Sequence, residues 1–195
     1  MTAALKPKLV ILISGRGSNM QSIVKAIQAN ELDAEVAAVI SNCPNAAGLK
    51  FAQQSDIATR TLDHKNFASR EAFDEQLMKL INSFTPDYVV LAGFMRILSA
   101  GFVKHYANKL INIHPSLLPK FKGMHTHKRA IEAGEKEHGA TVHFVTEELD
   151  AGPIILQAKV PILENDTEDT LAARVLIEEH KLYPDALRLL IQQQN

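Results

Sequence analysis

Apolar runs and helically spaced apolar positions alternate along this chain. Lys8–Ile13 places five aliphatic residues behind a lysine, which predicts a strand buried on both faces. Met20, Ile23, Val24 and Ile27 then recur at helical spacing, so a helix follows the turn Ser14–Asn19. Glu35–Ser41 predicts a second strand, Ala46–Gln54 a short helix capped by Asn45, and Ile57–Leu62 a third strand. Ser69 suits the cap of a helix over Arg70–Phe84, whose apolar face carries Phe73, Leu77, Leu80, Ile81 and Phe84. Pro86 ends that helix and leads into a strand at Tyr88–Ala92. Gly93 closes the strand, Phe94–Leu98 forms a loop, and Ser99 caps a helix to about Tyr106.

The next strand, Leu110–His114, is where chemistry first shows. Alternate strand residues share a face, so Asn112 and His114 point one way and Ile111 and Ile113 the other. Pro115 holds His114 extended and stops the ladder. Lys120–His127 reads as a surface loop and a short helix through Ala130 stops at Gly134. Gly139–Thr146 and Pro153–Ile162 predict an antiparallel hairpin joined by Glu147–Gly152. Thr167–Gln194 is helical, with Pro184 starting a second segment. The pattern predicts one α/β domain over residues 1–195. Its architecture is Rossmann-like: an open, twisted, mostly parallel sheet with helices on both faces and an antiparallel hairpin in the C-terminal half.

Composition narrows the function classes. The chain has 195 residues, 46% hydrophobic and 22% charged, enough for a sizeable core. Twenty-one basic residues against 22 acidic give a formal charge of −1 and no basic stripe, which argues against nucleic-acid or anionic-membrane partners. One cysteine, Cys43, forms no internal disulfide and suits a reducing cytosol. Neither a signal-peptide core nor a membrane-length run occurs, so the expected location is the cytoplasm.

Several groups are candidates for a site. The loop Gly15–Asn19 can present backbone N–H groups at a helix N-terminus, where an anion is favoured. It lacks the third glycine of a dinucleotide fingerprint and the Lys-Ser/Thr pair of a P-loop, so a mononucleotide or sugar phosphate fits better. The plainer alternative is a tight turn with Ser18 or Asn19 as an ordinary cap. Asn112 can donate to a developing oxyanion and His114 can move a proton near neutral pH, which suits acyl-group chemistry. The alternative is a buried pair that closes a strand end. Asp150 can orient His114, although Glu147 and Glu148 are rivals that spacing leaves open. Ser116 lacks a nucleophile elbow, and His125-x-His127 lacks a third metal ligand nearby.

Five stretches occur in a single order along the chain: Ser14-Gly15-Arg16-Gly17-Ser18-Asn19; Val90–Leu98; Asn112-Ile113-His114-Pro115-Ser116-Leu117-Leu118-Pro119; His138–Val145; and Leu149-Asp150-Ala151-Gly152-Pro153-Ile154. Together they resemble the formyltetrahydrofolate-dependent formyltransferases, in particular the branch whose acceptor is glycinamide ribonucleotide. The Asn-x-His-Pro-Ser-Leu-Leu-Pro stretch is shared with branches that carry a further domain, whereas the Gly17-Ser18-Asn19 loop favours the glycinamide branch.

The resemblance implies 10-formyltetrahydrofolate as formyl donor, no metal, small-molecule partners, a role in purine biosynthesis, and a monomer or homodimer. It implies that Asn112, His114 and Asp150 are catalytic. The ribonucleotide would be held by Gly17, Ser18, Asn19 and Glu179 in the N-terminal half and the last helix. The folate pocket would be formed by Arg70, Met95, Arg96, Ile97, Leu98, Asn112 and Thr146, Glu147, Glu148, Leu149 and Asp150. Two other readings remain open: a formyltetrahydrofolate hydrolase, and a non-catalytic nucleotide- or folate-binding regulator.

Overall fold

A computed structural model describes residues 5–193. Seven strands, β1 (Lys8–Ile13), β2 (Glu35–Ser41), β3 (Thr59–Thr61), β4 (Tyr88–Leu91), β5 (Leu110–His114), β6 (Glu137–Phe144) and β7 (Ile154–Pro161), form one sheet. Its order is β3-β2-β1-β4-β5-β6-β7. The first five pair in parallel, and β6 and β7 run antiparallel to their neighbours. The chain leaves β1 toward β2 and later returns to its other side with β4. That strand pair is the topological switch point, where open α/β sheets leave a crevice beyond the carboxyl ends.

Helices cover both faces because the strands are apolar on both. Leu9, Ile11 and Ile13 of β1 pack under α1 (Ser18–Gln28), α2 (Ala47–Gln54) and α6 (Glu168–Gln192). Val10 and Leu12 pack under α3 (Arg70–Asn82) and α4 (Ala100–His105). Leu110 joins the second cluster and Ile111 the first, so the alternation of β5 turns Asn112 and His114 toward the α3/α4 face. A short α5 (Thr126–Glu132) follows the loop after β5. No helix of the described residues is long and apolar enough to cross a membrane.

Several boundaries differ from the sequence expectation. The third strand keeps only Thr59–Thr61, a polar, half-exposed edge. Ala46 rather than Asn45 is the N-cap of α2, and no side chain caps it. The helix from Arg70 stops at Asn82, and Thr85 at φ 48° turns the chain before Pro86. The sixth strand begins at Glu137, opposite Pro161, and ends at Phe144. Thr126 and His127 belong to α5 rather than to the loop before it.

The largest difference is α6, which is unbroken to Gln192 with Pro184 inside it. A proline removes one N–H from the ladder, but Leu182, Tyr183, Ala186 and Leu187 around it are all buried, and that packing keeps the axis continuous. Gln194, where the sequence reading ended this helix, lies outside the described residues.

Candidate active site

The loop after β1 has a conformation that its glycines permit. Gly17 is the N-cap of α1 at φ 64°, the left-handed region, and its carbonyl accepts from the Gln21 N–H at 2.9 Å. A Cβ on Gly17 would stand 3.1 Å from the Met20 side chain and 3.3 Å from Ile13. No side chain caps α1, so neither Ser18 nor Asn19 acts as the ordinary cap. The uncapped N–H end of the helix therefore opens onto a cavity of about 280 Å³. Ser14–Asn19 line it from one side and Ala92, Gly93 and Met95 from the other, at the carboxyl ends of β1 and β4.

Asn19 turns its amide inward and donates to Glu179 Oε2 at 2.8 Å. Glu179 is 8% exposed, and burial pushes its carboxyl above the usual range, an effect partly offset by the Asn19 donor. Glu179 does not line the cavity; it stands behind Asn19.

The wall formed by residues 93–98 is tied down from two sides. Ser14 Oγ accepts the Met95 N–H at 2.8 Å and donates to Asn42 Oδ1 at 2.5 Å, and Asn42 in turn meets His64 at 3.2 Å. From α3, Phe73 lies under the Arg96 guanidinium at 4.8 Å, and buried Asp74 accepts the Ser99 N–H at 2.6 Å. Met95 and Ile97 are left 80% and 68% exposed, an apolar rim at the mouth of the cleft. Arg70 starts α3 on the same side as Phe73 and Asp74 but makes no hydrogen bond or ion pair with the other expected site residues among those described.

One strand further on, Asn112 pairs with Leu91 of β4 on one side and His143 of β6 on the other. His114 is buried, and its Nε2 lies 2.9 Å from the Phe121 carbonyl, so Nε2 carries a hydrogen. Its Nδ1 faces Asp150 Oδ2 at 3.5 Å, with both side chains 8% exposed. Asp150 Oδ2 also accepts the Gly123 N–H at 2.9 Å.

Asp150 reaches His114 because the β6–β7 connection folds back tightly. Asp150 adopts φ 47°, a conformation aspartate tolerates better than most residues. A Cβ on Gly152 would lie 1.8 Å from the Phe144 carbonyl, so only glycine allows that approach. The rival carboxylates are engaged elsewhere: Glu147 pairs with Lys104 at 3.5 Å and Glu148 with Lys122 at 2.9 Å. Thr146 donates to the Glu148 carbonyl at 3.3 Å, and Leu149 is exposed.

Other candidates are placed away from this chemistry. Ser116 donates to the Lys120 carbonyl at 2.7 Å and is fully buried in its own turn. His125 is the N-cap of α5, and His127 packs edge-on against His138 with ring centroids 5.1 Å apart.

The sequence gives His143 no role beyond that of a solvated or core histidine. The His143 ring donates from Nδ1 to the Phe144 carbonyl at 2.9 Å and leaves Nε2 without a partner, 3.9 Å from Asp150 Oδ1. Burial pushes its pKa below the ordinary value, against the opposing pull of Phe144 and Asp150, so a neutral ring backs Asp150. Its place opposite Asn112 follows from strand register, which no single-strand pattern reveals.

Comparison with known proteins adds an independent line. Residues 7–187 match the model of the formyl transferase family. The chain is 57% identical to phosphoribosylglycinamide formyltransferase of Escherichia coli K12, over 90% of this chain and 83% of that one. It is 48% identical to the trifunctional purine biosynthetic protein adenosine-3 of Drosophila melanogaster over 98% of this chain, which spans only 14% of that larger protein. Among solved structures, phosphoribosylglycinamide formyltransferase from Coxiella burnetii superposes with a TM-score of 0.89 at 52% identity, covering 94% of this chain and 86% of that one.

Proposed function

The chain belongs to the formyl transferase family, and from that premise we propose that it moves the formyl group of 10-formyltetrahydrofolate onto the amine of 5′-phosphoribosylglycinamide, as a cytoplasmic enzyme of purine biosynthesis. One observation carries the assignment of roles. The His114 ring, held between a carbonyl and the Asp150 carboxylate, stands beside Asn112 and one strand from a cavity edged by helix N–H groups.

The ribonucleotide phosphate fits the loop Gly17-Ser18-Asn19, where the N-terminus of α1 offers unpaired donors and partial positive charge. The folate then lies across the rim of Met95, Ile97 and Leu149, with backbone groups of 93–98 facing its ring. Arg96 is turned away onto Phe73, so it contributes its backbone rather than its charge to that wall.

The glycinamide nitrogen uses its lone pair to attack the formyl carbon, and the carbonyl oxygen becomes an oxyanion. The Asn112 amide hydrogen-bonds to no side chain among the described residues and is free to donate to that oxygen. His114 Nε2 donates to the Phe121 carbonyl at 2.9 Å, so for the ring to meet the oxyanion that carbonyl must give way to it during the step. Asp150 stands on the other side of the ring, 3.5 Å from Nδ1, where its carboxylate favours positive charge on the imidazole as the oxyanion develops. Collapse of the tetrahedral species breaks the bond from carbon to folate N10. One proton passes from the former amine to that nitrogen, directly or through His114, which leaves tetrahydrofolate and the formylated amide. The protein forms no covalent bond in this scheme.

The test is a steady-state assay with each substrate omitted in turn. The expected result is tetrahydrofolate release only when the ribonucleotide is present. Equal release without it would identify a hydrolase, and intact donor after long incubation would identify a binding protein. His114→Ala should lower kcat by ~10²–10⁴, and Asn112→Ala by ~10²–10³.

A further inference from the structure

Helix α6 lies on the sheet face opposite Asn112 and His114, yet one of its side chains reaches through to the same strand ends. Tyr183 is fully buried. Its hydroxyl lies 2.8 Å from the Leu91 carbonyl of β4 and 3.2 Å from the Ile111 carbonyl of β5.

Each of those carbonyls belongs to the peptide plane that delivers a site residue. The Leu91 carbonyl is rigidly joined to the nitrogen of Ala92, which lines the cavity; the Ile111 carbonyl is joined to the nitrogen of Asn112. Leu91 and Asn112 are also register partners. A single hydroxyl proton is shared between two acceptors at the point where β4 ends and β5 continues.

Packing alone does not call for this hydroxyl. Phenylalanine would fill the same apolar space without the cost of burying an O–H. Burial and the nearby Glu179 carboxylate push the Tyr183 phenol well above its ordinary range, so it stays a donor. Glu179 lies one turn earlier on the same helix face and holds Asn19 of the phosphate loop at 2.8 Å. One face of α6 thus grips the loop after β1 and the ends of β4 and β5.

We propose that Tyr183 is a positioning residue for Asn112, fixing the end of β5 against β4 so that the amide meets the formyl oxygen. The proposal rests on the formyl-transfer reading above. Misplacing a catalytic group by ~1 Å can cost ~10²-fold in rate, and loss of one shared hydrogen bond is a gentler displacement, so we expect about a tenfold effect.

The experiment is a double-mutant cycle of Tyr183→Phe and Asn112→Ala, with kcat, both KM values and Tm measured for all four proteins. Rates are normalised to folded protein by circular dichroism. The expected result is a kcat about tenfold lower in Y183F with both KM values within about twofold of wild type. In the N112A background the same change should add less than about a twofold further loss, because the hydroxyl acts through Asn112.

Three results overturn the proposal: Y183F within about twofold of wild type in kcat; a full tenfold loss repeated on top of N112A; or Y183F that fails to fold, which would make the hydroxyl purely structural. Wild-type protein that forms no formylated product would instead refute the functional reading itself. The two failures are therefore distinguishable.

Discussion

Replacing Asp150 with asparagine separates two roles that the structure gives to one carboxylate. Oδ2 faces His114 Nδ1 at 3.5 Å and also accepts the Gly123 N–H at 2.9 Å. Asparagine keeps a carbonyl oxygen for Gly123 and removes only the charge, so the loop anchor survives. Two unit charges at that separation attract by about 5 kcal/mol at an effective dielectric constant near 20. Desolvating two nearly buried groups returns a large part of this, which leaves about 2–3 kcal/mol acting on the charged ring. If the imidazolium is the form that meets the oxyanion, kcat in D150N should fall by ~30- to 150-fold. Tm should stay near wild type, because no backbone hydrogen bond is lost, and kcat should fall far more than either KM. The assay is steady-state formyl transfer at saturating donor and acceptor, with Tm from the same preparation. A kcat within about threefold of wild type in a folded D150N protein would refute the electrostatic role.

Other positions give independent checks. Gly17→Ala forces a side chain into the left-handed region beside Met20 and Ile13, so we expect about 1–2 kcal/mol of destabilisation and a raised ribonucleotide KM, read by urea unfolding and initial rates. Glu179→Gln removes a buried carboxylate whose pKa is held above the usual range; the destabilisation it relieves is present at neutral pH and vanishes as pH falls toward the unfolded value, so Tm should rise at pH 7–8 and converge with wild type in acid, while the ribonucleotide KM increases. Burial, together with neighbouring His127, drives His138 down to about 4 from an ordinary 6.5. The unfolded chain then binds the extra proton between those values, so stability falls as pH drops through that window; in His138→Gln the fall from pH 7 to 4 in denaturant titrations should be smaller.

The parts of the fold written as local pattern were legible in the sequence. Lys8–Ile13 and Leu110–His114 are apolar runs buried on both faces, and their bounds match the strands. The pleat put Asn112 and His114 on one face, and the structure has them there. What the pattern could not supply was long-range registration. Asp150, Glu147 and Glu148 are equivalent by spacing, and only the left-handed turn at Asp150, with Gly152 against Phe144, decides which carboxylate faces His114. Pro184 shows the opposite error, where a strong local rule was overridden by burial on both sides of it. The contacts of Tyr183, His143 and the Ser14–Asn42 link could not be read locally, since their partners come from strands and loops far away in the chain.

In the proposed mechanism the formyl group passes from folate nitrogen to the glycinamide amine without resting on the protein. That route is tested most directly by single-turnover mass spectrometry with donor labelled in the formyl carbon. The expected result is the label on glycinamide ribonucleotide, in equal amount to tetrahydrofolate formed, with none on the polypeptide at any time point. Label appearing as free formate, or on a side chain before it reaches the ribonucleotide, would rule out direct transfer.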